Sequence, residues 1–83
     1  MKLRALNRNP WDDFDVWQGR FKGHVVEIGF PYRDIDKYGK GYRVTIKYKR
    51  SIVHSSKLLF DGLEKAREFS IQWIANLLEA RDT

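Results

Sequence analysis

The strongest constraint on the fold of this chain is an alternation of apolar and polar residues between positions 41 and 50. The even positions are apolar and the odd ones polar and mostly cationic: Tyr42, Val44, Ile46 and Tyr48 alternate with Arg43, Thr45, Lys47 and Lys49. Successive side chains of a β-strand point to opposite faces of a sheet, so this period of two predicts a strand with one buried and one wet face. The cationic face is either a binding surface or simply the solvent side of a sheet.

Length and composition predict one small domain. A chain of 83 residues buries only about 60 to 65% of the surface that its unfolded state exposes, so its core is thin. The absence of Cys excludes disulfides, Cys-ligated zinc and thiol catalysis, and it is typical of a reducing compartment. No apolar run approaches the roughly 18 residues of a membrane span, and Met1 to Pro10 lacks the apolar stretch of a signal peptide. We therefore expect a cytoplasmic protein without a membrane segment.

Two alternating segments precede this strand. Val16 to Phe21 and His24 to Phe30 flank Lys22-Gly23, which predicts a β-hairpin. Residues 31 to 41 begin with a proline, which cannot donate to a β-ladder, and contain two glycines, so we expect a loop there.

The ends of the predicted sheet are less clearly patterned. Ser51 to Leu59 starts with β-branched residues and follows Lys49-Arg50 closely, which predicts a tight turn into a further strand. Residues 1 to 9 form a tail or a short edge strand. Asn9-Pro10-Trp11-Asp12 has the form of a short helix start, with Asn as the cap and Pro at the first helical position.

A carboxy-terminal helix is predicted from Asp61 to about Glu79. Asp61 stands three residues before Glu64, as in a capping box, and Phe60 can pack on the first turns. At about 100° per residue, one arc is mainly apolar: Leu63, Ala66, Phe69, Ser70, Trp73, Ile74, Leu77, Leu78 and Ala80. This stripe exceeds the roughly 100° that a sheet-covering helix needs. Its excess is covered by loops or the amino-terminal segment, or it forms a second contact surface such as a homodimer interface.

These elements predict an α+β domain, in which an antiparallel three- or four-stranded sheet packs on one carboxy-terminal helix. Its expected parts are a tail over residues 1 to 15, strands within 16 to 59 and a packing helix over 61 to 79.

The segments GYRVTIKYKR and SIVHSS, followed by KLLFDGLEKAREFSIQWI, resemble the three-stranded DNA-binding domains of tyrosine integrases and plant ethylene-response factors. The resemblance spans residues 24 to 79 and implies a sheet that lies in the major groove of duplex DNA. The long loop at Pro31 and the first hairpin depart from that pattern. WQGRFKGHVVEI followed by YRVTI is similar instead to SH3-like small barrels, which would make the helix an appendage.

The charge distribution favours an anionic partner. The chain has a net charge of +5, and its stretch from Lys37 to Phe60 holds seven cations and no acid. Such a basic block within a mixed sequence predicts a surface patch. A groove-reading strand would use Arg for base edges, Lys for phosphates and Thr for phosphate oxygens. The predicted nucleic-acid-binding residues are Arg43, Thr45, Lys47, Lys49, Arg50, Lys40, Lys57, Arg20 and Lys22.

Other functions have weaker signals. His24 and His54 could meet on neighbouring strands, but nothing fixes their distance, and no serine has a catalytic partner at a recognisable spacing. We therefore expect no catalysis, no metal and no cofactor. The alternative is a small protein-interaction module, a regulator or inhibitor that docks on a larger protein, with Trp11 and Trp17 as aromatic anchors.

Overall fold

The structure, a computed structural model, describes residues 1–7, 13–56 and 58–82. Five antiparallel strands follow one another across a single sheet in chain order: β1 (Arg4–Ala5), β2 (Phe14–Phe21), β3 (His24–Pro31), β4 (Arg43–Tyr48) and β5 (Ser51–Ser55). A short helix α1 (Ile35–Tyr38) lies between β3 and β4, and the helix α2 (Leu63–Asp82) follows β5. The prediction of an antiparallel sheet with a carboxy-terminal helix is confirmed.

The prediction of three or four strands is wrong, because the amino-terminal segment adds a fifth. Arg4 pairs with Gln18 and Ala5 with Trp17, so β1 extends the sheet beyond the first hairpin. A strand of two residues is too short to show alternation. For this reason the sequence did not decide whether residues 1 to 9 form a tail or a short edge strand. The expected helix start at residues 9 to 12 lies outside the described residues.

Two tight turns connect β2 to β3 and β4 to β5. Lys22 and Gly23 join β2 to β3 with φ angles of 48° and 80°, and Lys49 and Arg50 join β4 to β5 with 49° and 67°. Two central residues with positive φ define the turn type that matches the twist of a two-residue hairpin. Only Gly23 adopts that conformation without steric cost, so the second turn carries strain on both of its residues.

The long connection between β3 and β4 contains structure that was not predicted. Residues 31 to 41 were expected to form a loop, and α1 supplies one helical turn within it. Asp34, with φ of 51°, begins this turn, and the backbone N–H of Gly39 closes it on the carbonyl of Ile35. A four-residue helix is too short for an amphipathic period to show in the sequence.

The hydrophobic core lies between the sheet and α2. Its strand residues alternate as predicted, because Val26, Ile28, Val44 and Ile46 are fully buried. From α2, Ala66 and Ile74 meet them. Burying one such aliphatic side chain contributes about 1.5 to 3 kcal/mol.

The broad apolar stripe of α2 has partners inside the fold. Phe69 and Trp73 contact the ring of His54, with centroid distances of 5.7 and 4.8 Å. Met1 also packs against the core, and its carbonyl accepts a hydrogen bond of 2.7 Å from Arg67 Nε. Gly19 makes room for this segment, since a Cβ there would lie 2.8 Å from Met1 Cγ. These contacts favour coverage by the amino-terminal segment over a second contact surface.

The start of α2 differs from the predicted capping box. The helix begins at Leu63, and the Asp61 carboxylate lies 2.9 Å from Lys65 Nζ. Glu64 accepts a hydrogen bond of 2.8 Å from Arg67, so both acids pair with lysine or arginine of the same helix. The hydrogen bond and charge of Lys65 lower the pKa of Asp61 below its ordinary value. Within the described ranges, no helix is long and apolar enough to span a membrane.

Candidate nucleic-acid interface

The sheet face opposite α2, here called the open face, carries the odd-numbered residues of β4. Cross-strand pairing places these side chains in rows with their neighbours. One row runs Arg20, Val25, Lys47 and Ile52; a second runs Arg4, Gln18, Glu27, Thr45 and Ser55; a third runs Val16, Gly29 and Arg43. On the core side, Val26, Ile28, Val44 and Ile46 are fully buried, whereas on the open face Val25, Glu27, Thr45 and Lys47 are only half-buried. At the end of this face away from the two tight turns, α1 packs on it through Tyr38, whose ring centroid lies 4.7 Å from that of Phe14.

One carboxylate lies within these three rows of described residues. Glu27 is the neighbour of Thr45 across the ladder, and its side chain forms an ion pair with Lys47 Nζ. The two side chains keep 24% and 41% of their surface exposed, so water screens the pair, and it contributes about 0.2 to 1 kcal/mol. Lys47 can therefore exchange Glu27 for another anion at small cost.

Arg43 is on the predicted face but has a structural role there. Its Nη2 donates hydrogen bonds of 3.2 Å to the carbonyl of Tyr38 and 3.1 Å to that of Gly39. Its guanidinium carbon lies 4.9 Å from the ring centroid of Phe14. The side chain thus caps the carboxyl end of α1 and holds it against β2. Alternation along a strand reports the face of a residue and not the partners of a long side chain.

The two tight turns lie at the same end of the sheet, here called the turn end. The Cβ position of Gly23 lies 3.6 Å from the Tyr48 ring, which brings the turns together. Lys22, Lys49 and Arg50 occupy the turns and are exposed, and Arg20 is exposed nearby on β2. Arg81 of α2 reaches the same end, with its guanidinium carbon 5.8 Å from the Tyr48 ring centroid. Arg20 and Lys22 are distant in sequence from Lys49 and Arg50, yet the fold brings both pairs to the same end of the sheet.

Not every predicted cation joins this group. Lys40 is exposed in the connection after α1, at the opposite end of the sheet from the turns. Lys57 lies outside the described residues. Thr45 is half-buried in the middle of the open face, between Glu27 and Ser55.

A shallow groove of about 270 Å³ crosses the open face. Its lining combines apolar and polar residues: Phe14, Val16, Glu27, Gly29, Arg43, Thr45, Lys47 and Ile52. A Cβ on Gly29 would only reach ordinary contact with Arg43 and Phe14, at 3.7 and 3.8 Å. Ile52 keeps 63% of its surface exposed at the β5 side.

Sequence analysis missed three contributors to this surface. Arg4 comes from the segment without a clear pattern, and its pairing with Gln18 places it on the open face. Phe14 precedes the predicted start of the first strand, while β2 begins there. Ile52 belongs to a strand whose facing was ambiguous, because a bulge opposite Ile46 and Lys47 breaks its alternation.

The histidines and two tyrosines have packing roles. His24 is buried against the Tyr48 ring, with centroids 4.7 Å apart, and its Nδ1 lies 3.0 Å from the Lys22 carbonyl oxygen. Tyr38 donates a hydrogen bond of 2.9 Å to the Asp13 carboxylate, and Tyr42 packs on Phe30 at 4.7 Å between centroids. Within the part of the chain that the structure describes, no three His, Asp or Glu residues group as metal ligands do.

Comparisons with known proteins find no relative. No protein-family model matches the chain, and neither the curated proteins nor the solved structures give a significant match. The resemblance to three-stranded DNA-binding domains therefore stays a prediction.

Proposed function

We propose that this chain is a nucleic-acid-binding domain that uses its open face and its turn end. The observation that carries the proposal is the gathering of four exposed cations at the end of the open face opposite α1: Arg20, Lys22, Lys49 and Arg50. The residues of both turns include no acid. Lys and Arg at such a surface neutralise phosphates and release condensed counterions, which supplies sequence-independent affinity.

Backbone strain at the second turn gives independent support. Lys49 and Arg50 hold φ angles of 49° and 67°, which cost non-glycine residues about 1 to 2 kcal/mol each. Asn-Gly would form the same turn with less strain. Strained residues persist where the structure holds them in place, and they cluster at functional sites. We expect two cations to be kept at so strained a turn if their charges bind an anionic ligand.

The ordinary explanation of exposed lysines has less support at the turn end. Charged residues on edge strands prevent sheets from pairing with one another, and exposed sheet faces are polar in general. Protection of edge strands does not account for Lys47, because Lys47 lies on the inner strand β4 and forms an ion pair with Glu27. It gives no reason for cations at positions with positive φ.

A salt-titrated binding assay tests the proposal. We expect fluorescence anisotropy to detect binding to labelled oligonucleotides. With four phosphate contacts, the logarithm of the affinity should fall with the logarithm of salt concentration at a slope of about −3 to −4. The double variant Lys22→Gln with Lys49→Gln should reduce that slope by about 1.5. Binding that does not depend on salt would contradict the proposal.

A matched control removes the same charge elsewhere. Lys37 lies on α1 and Lys65 on the first turns of α2, and both are exposed. The variant Lys37→Gln with Lys65→Gln should leave the salt slope unchanged. An equal loss in both double variants would mean that net charge, and not this surface, controls binding.

The alternative of a protein-docking module has a weaker basis in the structure. It relies on tryptophan anchors, and Trp17 and Trp73 are both half-buried. Trp17 packs 5.8 Å from Tyr42 and Trp73 stacks on His54. Trp11 lies outside the described residues.

A further inference from the structure

We infer that the nucleic acid bound by the open face is single-stranded. This inference rests on the proposed function and names the form of its ligand. It follows from three features of the open face: the width of the sheet, the immobilised Arg43 and the groove.

The width of the sheet argues against insertion into duplex DNA. Strands in a sheet are spaced about 4.8 Å apart, so five strands span about 19 Å before side chains are added. The major groove of B-form DNA is about 12 Å wide and admits a helix or a two-stranded ribbon. A three-stranded sheet spans only about 10 Å between its outer strands. The additional strands β1 and β2 therefore remove the fit on which groove reading by the whole face depends.

The residue best suited to read a base pair is also occupied. Recognition of guanine in a duplex uses two parallel donors of a free Arg side chain. The Arg43 guanidinium donates to the Tyr38 and Gly39 carbonyls and packs on Phe14. Reaching a base pair would remove the cap of α1. The other open-face residues of β4 lack the planar pair of donors of an arginine: Thr45 carries one hydroxyl, and the Lys47 ammonium acts as a point charge.

The groove is suited to an unpaired base. Its lining includes Val16, Gly29 and Ile52 as apolar surface. Thr45 and Lys47 supply donors, and the Glu27 carboxylate supplies an acceptor for a base amino group. A base inside a duplex presents only its edges, whereas an unpaired base can place its whole face against apolar side chains. The cations of the turn end then lie beside the groove, where they can contact the flexible backbone of the same strand.

Insertion of a single hairpin into a duplex groove is the remaining duplex geometry. The β4–β5 ribbon would fit the major groove by width. That geometry would use Lys49, Arg50 and the part of the groove that β4 and β5 form. It would leave Arg4, Arg20 and the β2 side of the groove without a ligand, because these lie on the far strands. Single-stranded nucleic acid uses all of these groups at once.

The experiment compares oligonucleotides of one length and sequence at one salt concentration: single-stranded DNA, single-stranded RNA and the DNA duplex. Single-stranded DNA or RNA should bind at least about tenfold more tightly than the duplex. The variant Ile52→Ser should weaken single-strand binding about fivefold through lost apolar contact. Leu58→Ser is the matched control, because Leu58 is 75% exposed and does not line the groove. Thermal unfolding of both variants checks that the fold is retained.

The outcomes separate this inference from the proposed function. Tighter single-strand binding that is lost in Ile52→Ser and kept in Leu58→Ser supports the inference. Duplex binding that equals or exceeds single-strand binding overturns it and leaves the proposed function standing. Failure to bind any of the three nucleic acids overturns both. If single strands bind more tightly than the duplex, a preference for RNA or for DNA would show which of the two single-stranded ligands this surface favours.

Discussion

The strained turn between β4 and β5 allows stability and binding to be changed in opposite directions. Lys49 and Arg50 both adopt positive φ, and both are exposed cations of the turn end. Replacing them by the preferred residues of this turn type, in the double variant Lys49→Asn with Arg50→Gly, removes the strain and the two charges together. We expect this variant to unfold at a higher temperature and to bind nucleic acid more weakly.

Both magnitudes follow from the structure. Relief of left-handed strain is worth about 1 to 2 kcal/mol per residue, and the greater freedom of glycine in the unfolded chain takes back about 0.5 to 1 kcal/mol. A net gain of at least about 1 kcal/mol should raise the melting temperature by at least about 4 °C in a domain of this size. For a single strand, each lost phosphate contact lowers the affinity about fourfold at 0.15 M salt, so the pair should lower it about 14-fold.

The assay pairs thermal unfolding with anisotropy titrations of labelled single-stranded oligonucleotides. The control variant Lys49→Gln with Arg50→Gln removes the same charges and keeps two side chains at positive φ. It should lose the same affinity without the gain in melting temperature. The reasoning is refuted if the Asn-Gly variant binds as tightly as the wild type, or if its melting temperature falls.

Three further predictions concern single side chains. Glu27→Gln should free Lys47 and raise the affinity for nucleic acid, measured by anisotropy, by up to about fourfold. Glu68→Gln, on the exposed side of α2, should leave the affinity unchanged, and equal changes in both variants would exclude a local effect. Arg43→Ala should cost about 1.5 to 3 kcal/mol because two carbonyls lose a charged donor, and an unchanged denaturant midpoint would contradict the capping role. Ile46→Ala, at a fully buried position, should cost about 2 to 5 kcal/mol of unfolding free energy, while Ile52→Ala should cost about 0.5 kcal/mol or less.

Residues whose position depends on local periodicity were predicted well. The alternation in β4 correctly assigned Val44 and Ile46 to the core and Thr45 and Lys47 to the open face. The Lys22-Gly23 turn was also correct, because glycine is what such a turn requires at one of its positions. In both cases the determining interaction lies within a few residues of the signal.

Features that depend on distant partners were not predictable in this way. β1 has no pattern of its own and exists through its pairing with Gln18 and Trp17. Alternation along β4 predicted the face of Arg43 but gave no sign of its role in capping α1. Its contacts with Tyr38 and Gly39 depend on α1, which no sequence signal indicated. The partners of a long side chain depend on which backbone segments lie within its reach. Alternation along a strand therefore cannot tell an arginine that is free to bind a ligand from one that caps a helix.

The cations of this surface differ in whether distant parts of the fold hold their charged groups. Arg43 is held by carbonyls and an aromatic ring, so its charge already serves the fold. Lys47 forms an ion pair with Glu27 that water screens, so its charge is held less firmly than that of Arg43 and is more available to a ligand. The cations at positions 49 and 50 make the backbone less stable than Asn-Gly would. Unlike Arg43, these two exposed cations stand at the turn end beside Arg20 and Lys22. The turn end, more than the middle of the open face, is therefore where binding by this domain must be tested first.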